Sequence, residues 1–342
     1  MGQHPPLDKN WQVVFEDDFS TFDRSRWRKQ HNLNRAWGIY EEQQVYDSTN
    51  VYIENDKLVL RTKVHSNYPC PRGSNCAYGG YHNYTSGEVD SKDRFHYGYF
   101  EIYAQVSGSS GYFPAFWLWY ESVYTANPTP YWYNEIDIFE AKGDKIDSAT
   151  SNIHLIIGKD PEICRSPLPA VPHALNYTSG YHWYGVEWNK DKITWYYARK
   201  TVRQLSNNIC NPNVQNPMII IMNVALDSRC TGCPNQILPT TQFPNYMYVE
   251  QANVYKLKFD CDTTVTEITN YDNPQLPNYY DYKVKKSISL SGVSSLTSGQ
   301  NVSLRATDYI ELTDGFYVPS DAELYLDNNP CEVQTIKKKQ GE

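Results

Sequence analysis

The sequence predicts an all-β protein, in which a sandwich of two antiparallel sheets is followed by a small C-terminal β domain. Runs rich in β-branched and aromatic residues recur along the chain, and turn formers separate them. No apolar pattern with helical spacing extends beyond about two turns. Strand-like runs of both alternating and fully apolar type, joined by long loops, are typical of a two-sheet sandwich.

The strands predicted for the sandwich lie between residue 57 and residue 259. In chain order they are "KLVLRTKV", "YGYFEIYAQV", "EIDIF", "SNIHLII", "ITWYYA", "MIIIMNVAL" and "NVYKLKF". Turn-forming stretches such as "SGSSG", "NPTP" and "CPNQ" interrupt them. We therefore assign residues 1–262 to the large β domain.

The composition changes after Cys261. Residues 263–282 are polar and contain Pro and Asn, which is typical of a linker. Residues 283–342 then show short alternating strands with frequent turn signals, followed by a Lys-containing tail. This pattern predicts a small module of stacked strands. We expect it to be a spacer, with sorting or weak carbohydrate binding as alternatives.

Composition excludes some classes of partner. The chain has 342 residues, a formal net charge of −8, and no dense Lys/Arg run before Lys337–Lys339. This argues against nucleic acid as the main partner. No apolar run is long enough to insert into a membrane. The 30 Tyr and nine Trp residues suit either sugar stacking or a large β core.

The cysteines indicate an oxidising compartment. Eight are scattered through loop-like sequence, a pattern that suits disulfides in a secreted or cell-surface protein. Local closures Cys70–Cys76 and Cys230–Cys233 are plausible pairings, and Cys261–Cys331 would tie the small domain back. The opening "MGQHPPLDKN" lacks the apolar segment of a signal peptide. We therefore expect the mature form of an exported bacterial protein, without a signal peptide in this chain.

The stretch "YWYNEIDIFEAKG", Tyr131 to Gly143, carries three carboxylates among strand-core residues. Side chains alternate along a strand, so Glu135 and Asp137 share one face while Glu140, five positions from Glu135, points to the other. One extra residue in a β-bulge returns Glu140 to the shared face. The stretch therefore predicts a row of three carboxylates that lines a groove.

Such a row suits the hydrolysis of a glycosidic bond. Retaining glycosidases use a nucleophilic carboxylate and an acid/base carboxyl about 5–5.5 Å apart. A central Asp can hydrogen-bond the nucleophile, and negative neighbours keep the acid protonated near neutral pH. The alternatives are a solvent-facing strand and a calcium-binding acidic row.

"NEIDIFE" resembles the E-[ILV]-D-[IVAF]-x-E signature of glycoside hydrolase family 16 in its bulged form. Further resemblance covers about residues 11–260. It includes "WQVVFEDDF", "WGIYEEQQVYDSTNVYIENDKLVLRTK", "YTSGEVDSKDRFHYGYFEIYAQVSGSSGYFPAFWLW", "YHWYGVEWNKDKITWYY", "NPMIIIMNVAL" and "MYVEQANVYKL". The resemblance implies a β-jelly roll with an open polysaccharide cleft on its concave face.

The resemblance also implies roles for individual residues. Glu135 is expected to be the nucleophile, Asp137 its assistant and Glu140 the acid/base. His154 matches a histidine on the neighbouring strand and is expected to hydrogen-bond near the acid/base, with a satisfied core histidine as the alternative. Other residues are expected to contact substrate: the sugar platforms Trp37, Trp117, Trp132 and Tyr133, for which core packing is an equal alternative, and the polar residues Glu41, Gln43 and Glu101. Trp183, Trp188 and Trp195 look like core.

We expect catalysis to require no cofactor. Some family members hold a structural calcium ion, and Glu16 and Glu250 are the residues that would contribute to such a site here.

The function expected from the sequence is that of a secreted, endo-acting, retaining β-glycoside hydrolase that works as a monomer on a polysaccharide. A β-1,3-containing glucan of the laminarin type is the leading substrate. Ile39-Tyr40 and "FPAFWL" depart from the pattern of many β-1,3-glucanases in the family, and a Tyr-rich insertion precedes the catalytic strand. A β-galactan of the agar, porphyran, carrageenan or mucin O-glycan type therefore stays open. A non-catalytic lectin and a calcium-dependent adhesin are weaker alternatives.

Overall fold

A computed structural model describes most of the chain. The described residues are 11–29, 42–69, 81–121, 132–157, 164–165, 171–172, 176–189, 192–207, 216–226, 236–257, 260–271, 279–281 and 285–328. They form strands and short 3₁₀ turns, with no α-helix in these ranges. The same ranges contain no helix long and apolar enough to cross a membrane. The prediction of an all-β chain with antiparallel sheets is confirmed.

Ten strands form the first large sheet, mostly antiparallel. Its core order is β16-β15-β14-β8-β18-β5-β6-β3, and β1 and β4 pair with β18 and β5. The strands are β1 (Trp11–Asp17), β3 (Gln44–Tyr46), β4 (Val51–Ile53), β5 (Leu58–Pro69), β6 (Tyr81–Ser86), β8 (Gly98–Val106), β14 (His182–Trp188), β15 (Lys192–Tyr197), β16 (Lys200–Ser206) and β18 (Asn245–Leu257).

Eight strands form the second large sheet, in the order β12-β11-β10-β9-β17-β7-β2, with β13 also pairing β11. They are β2 (Trp27–Lys29), β7 (Glu88–Ser91), β9 (Tyr112–Glu121), β10 (Trp132–Ala141), β11 (Ser148–Ile157), β12 (Cys164–Arg165), β13 (Val171–Pro172) and β17 (Ile219–Leu226). β10, which carries the acidic motif, therefore lies inside the sheet, with β9 and β11 on either side.

The space between the two large sheets is filled with aromatic and aliphatic side chains. In β10, Ile136, Ile138 and Phe139 are fully buried. The ring of Phe139 lies 4.2 Å from the ring of Tyr184 in β14. Full burial of a side chain of this size stabilises the fold by about 1.5–3 kcal/mol. One side of β10 thus anchors the strand to the opposite sheet.

A separate sheet of five parallel strands forms a second β unit, in the order β19-β21-β22-β20, with β23 on β22. The strands are β19 (Asp260–Val265), β20 (Tyr279–Asp281), β21 (Lys285–Leu290), β22 (Asn301–Leu312) and β23 (Glu323–Asn328). The unit has its own core, formed by Val265, Ile268, Tyr271, Ile288, Leu290, Leu296, Val302, Leu304 and Ala306. Its β19 and β20 include part of the segment predicted as a linker. The predicted domain boundaries themselves stay a prediction.

Candidate active site

A β-bulge interrupts β10 within the acidic motif. On the β11 side, Asp137 pairs with Asn152 and Glu140 with Thr150, so three steps along β10 match two along β11. On the β9 side, Asp137 pairs with Trp117 and Phe139 with Phe116, so two steps match one. The pairing with both β9 and β11 therefore shows one extra residue in β10 between Asp137 and Glu140, as the spacing of the motif predicted.

The bulge brings the three carboxylates to one face of the sheet, because residues paired across strands point to the same side. Glu135 lies between Trp119 and His154, and Glu140 between Ala115 and Thr150. The apolar residues between the carboxylates are buried on the reverse side. The result is a charged face backed by an apolar one.

Side chains of β11 contact two of the three carboxylates. The Thr150 hydroxyl donates to Glu140 Oε2 over 3.2 Å. His154 Nε2 lies 3.1 Å from Asp137 Oδ2. His154 thus contacts the middle carboxylate of the row, and its expected role near the acid/base stays a prediction. The antiparallel register pairs His154 with Glu135, at the other end of the row from Glu140.

Electrostatic effects within the trio of carboxylates, Glu135, Asp137 and Glu140, act on the pKa of Glu135. Burial raises the pKa of Glu135 well above its usual range, and the negative charge of Asp137 raises it further. The charge of His154 opposes these effects, whereas a hydrogen bond with Asp137 and the charge of Glu140 add to them. Glu135 therefore holds its proton more tightly than an isolated glutamate does.

The trio face continues across β9 into an aromatic cluster. Trp117 and Trp119 meet edge to face with ring centroids 5.4 Å apart, and they pack with Ile219 and Ile221 of β17. The indole N–H of Trp117 donates to Asn223 Oδ1 over 2.8 Å. Trp117 is only 6% exposed, while Trp119 is half-buried. A sugar contact by Trp117 stays a prediction.

Comparison with known proteins agrees with this geometry. The profile described as glycosyl hydrolases family 16 matches residues 37–231, more than half of the chain. The chain belongs to glycosyl hydrolase family 16. The matched range includes the whole acidic row and both strands that flank it. The fold is accordingly the jelly roll that the resemblance implied.

Individual family members are similar over much of the chain. The glucan endo-1,3-beta-glucosidase A1 of Niallia circulans is 28% identical over 270 residues, 71% of this chain and 38% of that protein. The kappa-carrageenase of Pseudoalteromonas carrageenovora is 28% identical over 230 residues, 60% of this chain and 55% of that protein. The chain therefore spans about half or less of the length of these relatives. The laminarinase catalytic domain of Thermotoga maritima MSB8 shares the fold with a TM-score of 0.56 and 24% identity, covering 73% of this chain and 100% of that one.

Not every residue predicted from the family 16 resemblance reaches the acidic face. Glu101 lies in β8 of the other large sheet and pairs with Gly185, one position from Tyr184. Because Tyr184 points toward Phe139 and side chains alternate, Glu101 points away from β10. Its carboxylate instead accepts from Asn253 Nδ2 over 3.5 Å, at a buried position. The prediction that Glu101 lies near the cleft is wrong.

The other predicted substrate contacts stay predictions. The backbone N–H of Gln43 donates to Leu226 O over 3.2 Å, at the end of β17. Trp37 and Glu41 lie outside the described residues. Trp132 and Tyr133 lie within β10, but their side chains lie outside the described part of the structure.

The calcium site expected at Glu16 and Glu250 stays a prediction. Calcium takes six to eight oxygen ligands, whereas the carboxylate of Glu250 is already paired with Lys57 Nζ at 2.8 Å. Glu16 is exposed, and its backbone carbonyl accepts from Arg26 Nη1. Among the described residues, the one group of at least three acidic or His side chains placed to share an ion is Glu135, Asp137 and His154.

Sequence reasoning missed two residues of β11 beside the trio, Thr150 and Asn152. A signal was present: in "SATSNIHLII", Thr150, Asn152 and His154 alternate with smaller or apolar residues. Alternation places all three on one face once one of them is assigned to the cleft. Their partners in β10 depend on strand register, which the local sequence does not specify.

Proposed function

We propose that this chain is an endo-acting, retaining β-glycoside hydrolase that cleaves a polysaccharide by double displacement. One observation carries the proposal: the bulge in β10 brings Glu135, Asp137 and Glu140 to one face of the sheet. Membership of family 16 and the similarity to named endo-glycanases support the same activity.

In the first step, Glu140 transfers its proton to the glycosidic oxygen while the Glu135 carboxylate attacks the anomeric carbon. The bond from that carbon to the leaving oxygen breaks, and an ester to Glu135 forms. In the second step, Glu140 accepts a proton from water, whose oxygen attacks the same carbon and displaces Glu135. Both carboxyl groups return to their starting protonation states.

The surrounding residues orient these groups. The hydroxyl of Thr150 holds one oxygen of Glu140. Asp137 hydrogen-bonds Glu135 and is itself contacted by His154. Because attack requires the ionised form of Glu135, and burial raises the pKa of that carboxyl, Glu135 must lose its proton before the first step.

Amide variants test the two principal roles. We expect Glu135→Gln and Glu140→Gln each to lower turnover of the polymer by about a thousandfold or more, with thermal unfolding still cooperative. Glu140→Gln is expected to retain far more kcat/KM on an aryl β-glycoside whose phenolate leaves without protonation. Retention of a tenth of wild-type activity on the polymer by either variant would refute the assignment.

For the substrate, we propose a β-1,3-containing glucan. The similarity to the glucan endo-1,3-beta-glucosidase A1 over 71% of this chain supports this choice. A β-galactan is the second candidate, supported by the similarity to the kappa-carrageenase and by Ile39-Tyr40 and Phe113 at positions that depart from the glucanase pattern. Parallel product analysis on laminarin, mixed-linkage glucan, agarose, carrageenan and mucin O-glycans distinguishes the two.

We further propose that the protein is exported, acts as a monomer and requires no cofactor for catalysis. The even number of cysteines in loop-like sequence supports an oxidising compartment. The non-catalytic lectin is disfavoured, because a binding protein has no need for all three carboxylates. Release of new reducing ends from any polymer of the panel separates the hydrolase from the lectin.

A further inference from the structure

The reverse side of the bulge contains two buried hydrogen-bond donors that the proposed mechanism does not use. A bulge leaves its extra residue out of the normal ladder, and a buried carbonyl without a partner is costly. The indole N–H of Trp195 donates to the carbonyl of Asp137 over 2.8 Å. The hydroxyl of Tyr197 donates to the carbonyl of Ile138 over 3.0 Å and, more weakly, to the carbonyl of Thr150 over 3.4 Å. Both donors come from β15, in the opposite sheet.

The positions of these donors match the bulge. Trp195 and Tyr197 are two residues apart in one strand, so they point to the same side, and each is buried. The two carbonyls they reach belong to consecutive residues within the irregular part of β10. Burial raises the pKa of Tyr197 well above its usual range, so its hydroxyl remains a donor at any working pH of the enzyme.

A third side chain extends the arrangement to β11. Arg203 is buried in β16, and its guanidinium lies 4.6 Å from the centre of the Trp195 ring. Its Nη1 donates to the carbonyl and, over 3.0 Å, to the hydroxyl of Ser151. Ser151 stands between Thr150 and Asn152, the β11 partners of Glu140 and Asp137. The same cluster therefore fixes the backbone of both strands around the trio.

We propose that Trp195 and Tyr197 are positioning residues, which hold the bulge carbonyls from the opposite sheet and thereby aim Glu140 at the leaving oxygen of the substrate. The proposal rests on the function proposed above. Neither residue touches the reacting atoms. Their effect passes through the backbone between Asp137 and Glu140, where the rotation of the chain sets the direction of the Glu140 carboxyl.

The chain offers a matched control for Tyr197. Tyr184 is its register partner in β14, is equally buried and packs on the same Phe139 ring. Its hydroxyl, however, has no hydrogen-bond partner among the described residues. Tyr197→Phe and Tyr184→Phe therefore delete the same atom from neighbouring rings, and only the first deletion releases a bulge carbonyl.

The test compares kcat/KM on two substrates: the polymer, whose leaving oxygen needs a proton, and an aryl β-glycoside, whose phenolate does not. For Tyr197→Phe we expect a loss of about 10- to 100-fold on the polymer and less than about threefold on the aryl glycoside, which reports only the nucleophilic attack. For Tyr184→Phe we expect neither value to change by more than about twofold, since its hydroxyl has no hydrogen-bond partner in the described part of the chain. Thermal unfolding confirms that each variant is folded.

A second variant keeps the test decisive if Tyr197→Phe does not fold. Trp195→Phe removes the other donor and is expected to show the same loss confined to the polymer. Equal losses on both substrates, or losses shared by Tyr184→Phe, would overturn the inference. Glu140→Gln separates this outcome from failure of the proposed function: if that variant also loses both activities equally, the acid/base role itself is refuted.

Discussion

The two faces of β10 differ in almost every physical respect. One face carries Glu135, Asp137 and Glu140, whose partners are polar side chains of β11. The other is formed by Phe139 and its aliphatic neighbours, packed on aromatic rings of β14 and β15. Three carboxylates in one strand repel each other and resist burial. The apolar reverse face therefore supplies the stability that the charged face lacks.

We expect the largest loss of stability from a substitution on the apolar face of β10. Phe139→Ala removes a fully buried ring at the centre of the bulge, and we expect it to lower the free energy of unfolding by about 3–5 kcal/mol. Denaturant unfolding followed by tryptophan fluorescence measures the change. Phe139→Leu is the control and should lose far less, because it refills most of the space. A loss below about 1 kcal/mol for Phe139→Ala would contradict the anchoring role of this face.

The contrast between the two faces of β10 also explains which features could be predicted from the sequence. The bulge was predictable because strand side chains alternate and Glu140 stands at an odd offset from Glu135. The buried state of Trp188 and Trp195 was predictable for a similar reason, since both belong to apolar runs. The donor role of Trp195 was not, because the carbonyl that it reaches is set by how the two sheets stack.

The contacts of His154 and Glu101 depend on the assembled sheets rather than on local sequence. The partner of His154 depends on the register between β10 and β11, and no local pattern in either strand specifies that register. Glu101 occupies a strand that resembles the family pattern, but its side chain alternates to the far side of the other sheet. In both cases the residue type was informative, while its direction was a property of the assembled sheets.

On the polar face of β10, we expect a smaller effect on kcat/KM from the loss of one hydrogen bond. Thr150→Val removes the hydroxyl that donates to Glu140 and preserves the shape of the side chain. We expect kcat/KM on the polymer to fall about tenfold, equivalent to roughly 1.4 kcal/mol of transition-state stabilisation. Thr85→Val is the control, since its buried hydroxyl has no partner among the described residues. An unchanged kcat/KM in Thr150→Val would show that this contact does not orient Glu140.

Two substitutions on the polar face should shift the pH profile of kcat/KM in opposite directions. Burial and the charge of Asp137 raise the pKa of Glu135, while the charge of His154 lowers it. In the proposed mechanism attack requires ionised Glu135, so this pKa would set the acid limb of kcat/KM. Asp137→Asn should therefore move the acid limb to lower pH, and His154→Asn should move it to higher pH. Shifts of the same sign in both variants would contradict this account of the Glu135 pKa.

The smallest expected effect is a change in thermal stability caused by the buried carboxylate of Glu135. The pKa of Glu135 is higher in the folded chain than the ordinary glutamate value of 4.5, so the folded state binds this proton more tightly than the unfolded state does. The contribution of Glu135 to stability therefore becomes unfavourable as the pH rises from 4.5 through the folded pKa, and it stays so above it.

Glu135→Gln removes this unfavourable contribution. We expect its Tm at neutral pH to exceed the wild-type value by about 2–4 °C, the change that roughly 1 kcal/mol makes in a domain of this size. The two melting curves should converge below about pH 4. Replacement of the exposed Glu267 by Gln should leave Tm unchanged at every pH. If Glu135→Gln is less stable than the wild type at neutral pH, the carboxylate is stabilised by its neighbours, and the trio is not a strained site held in place by the apolar face behind it.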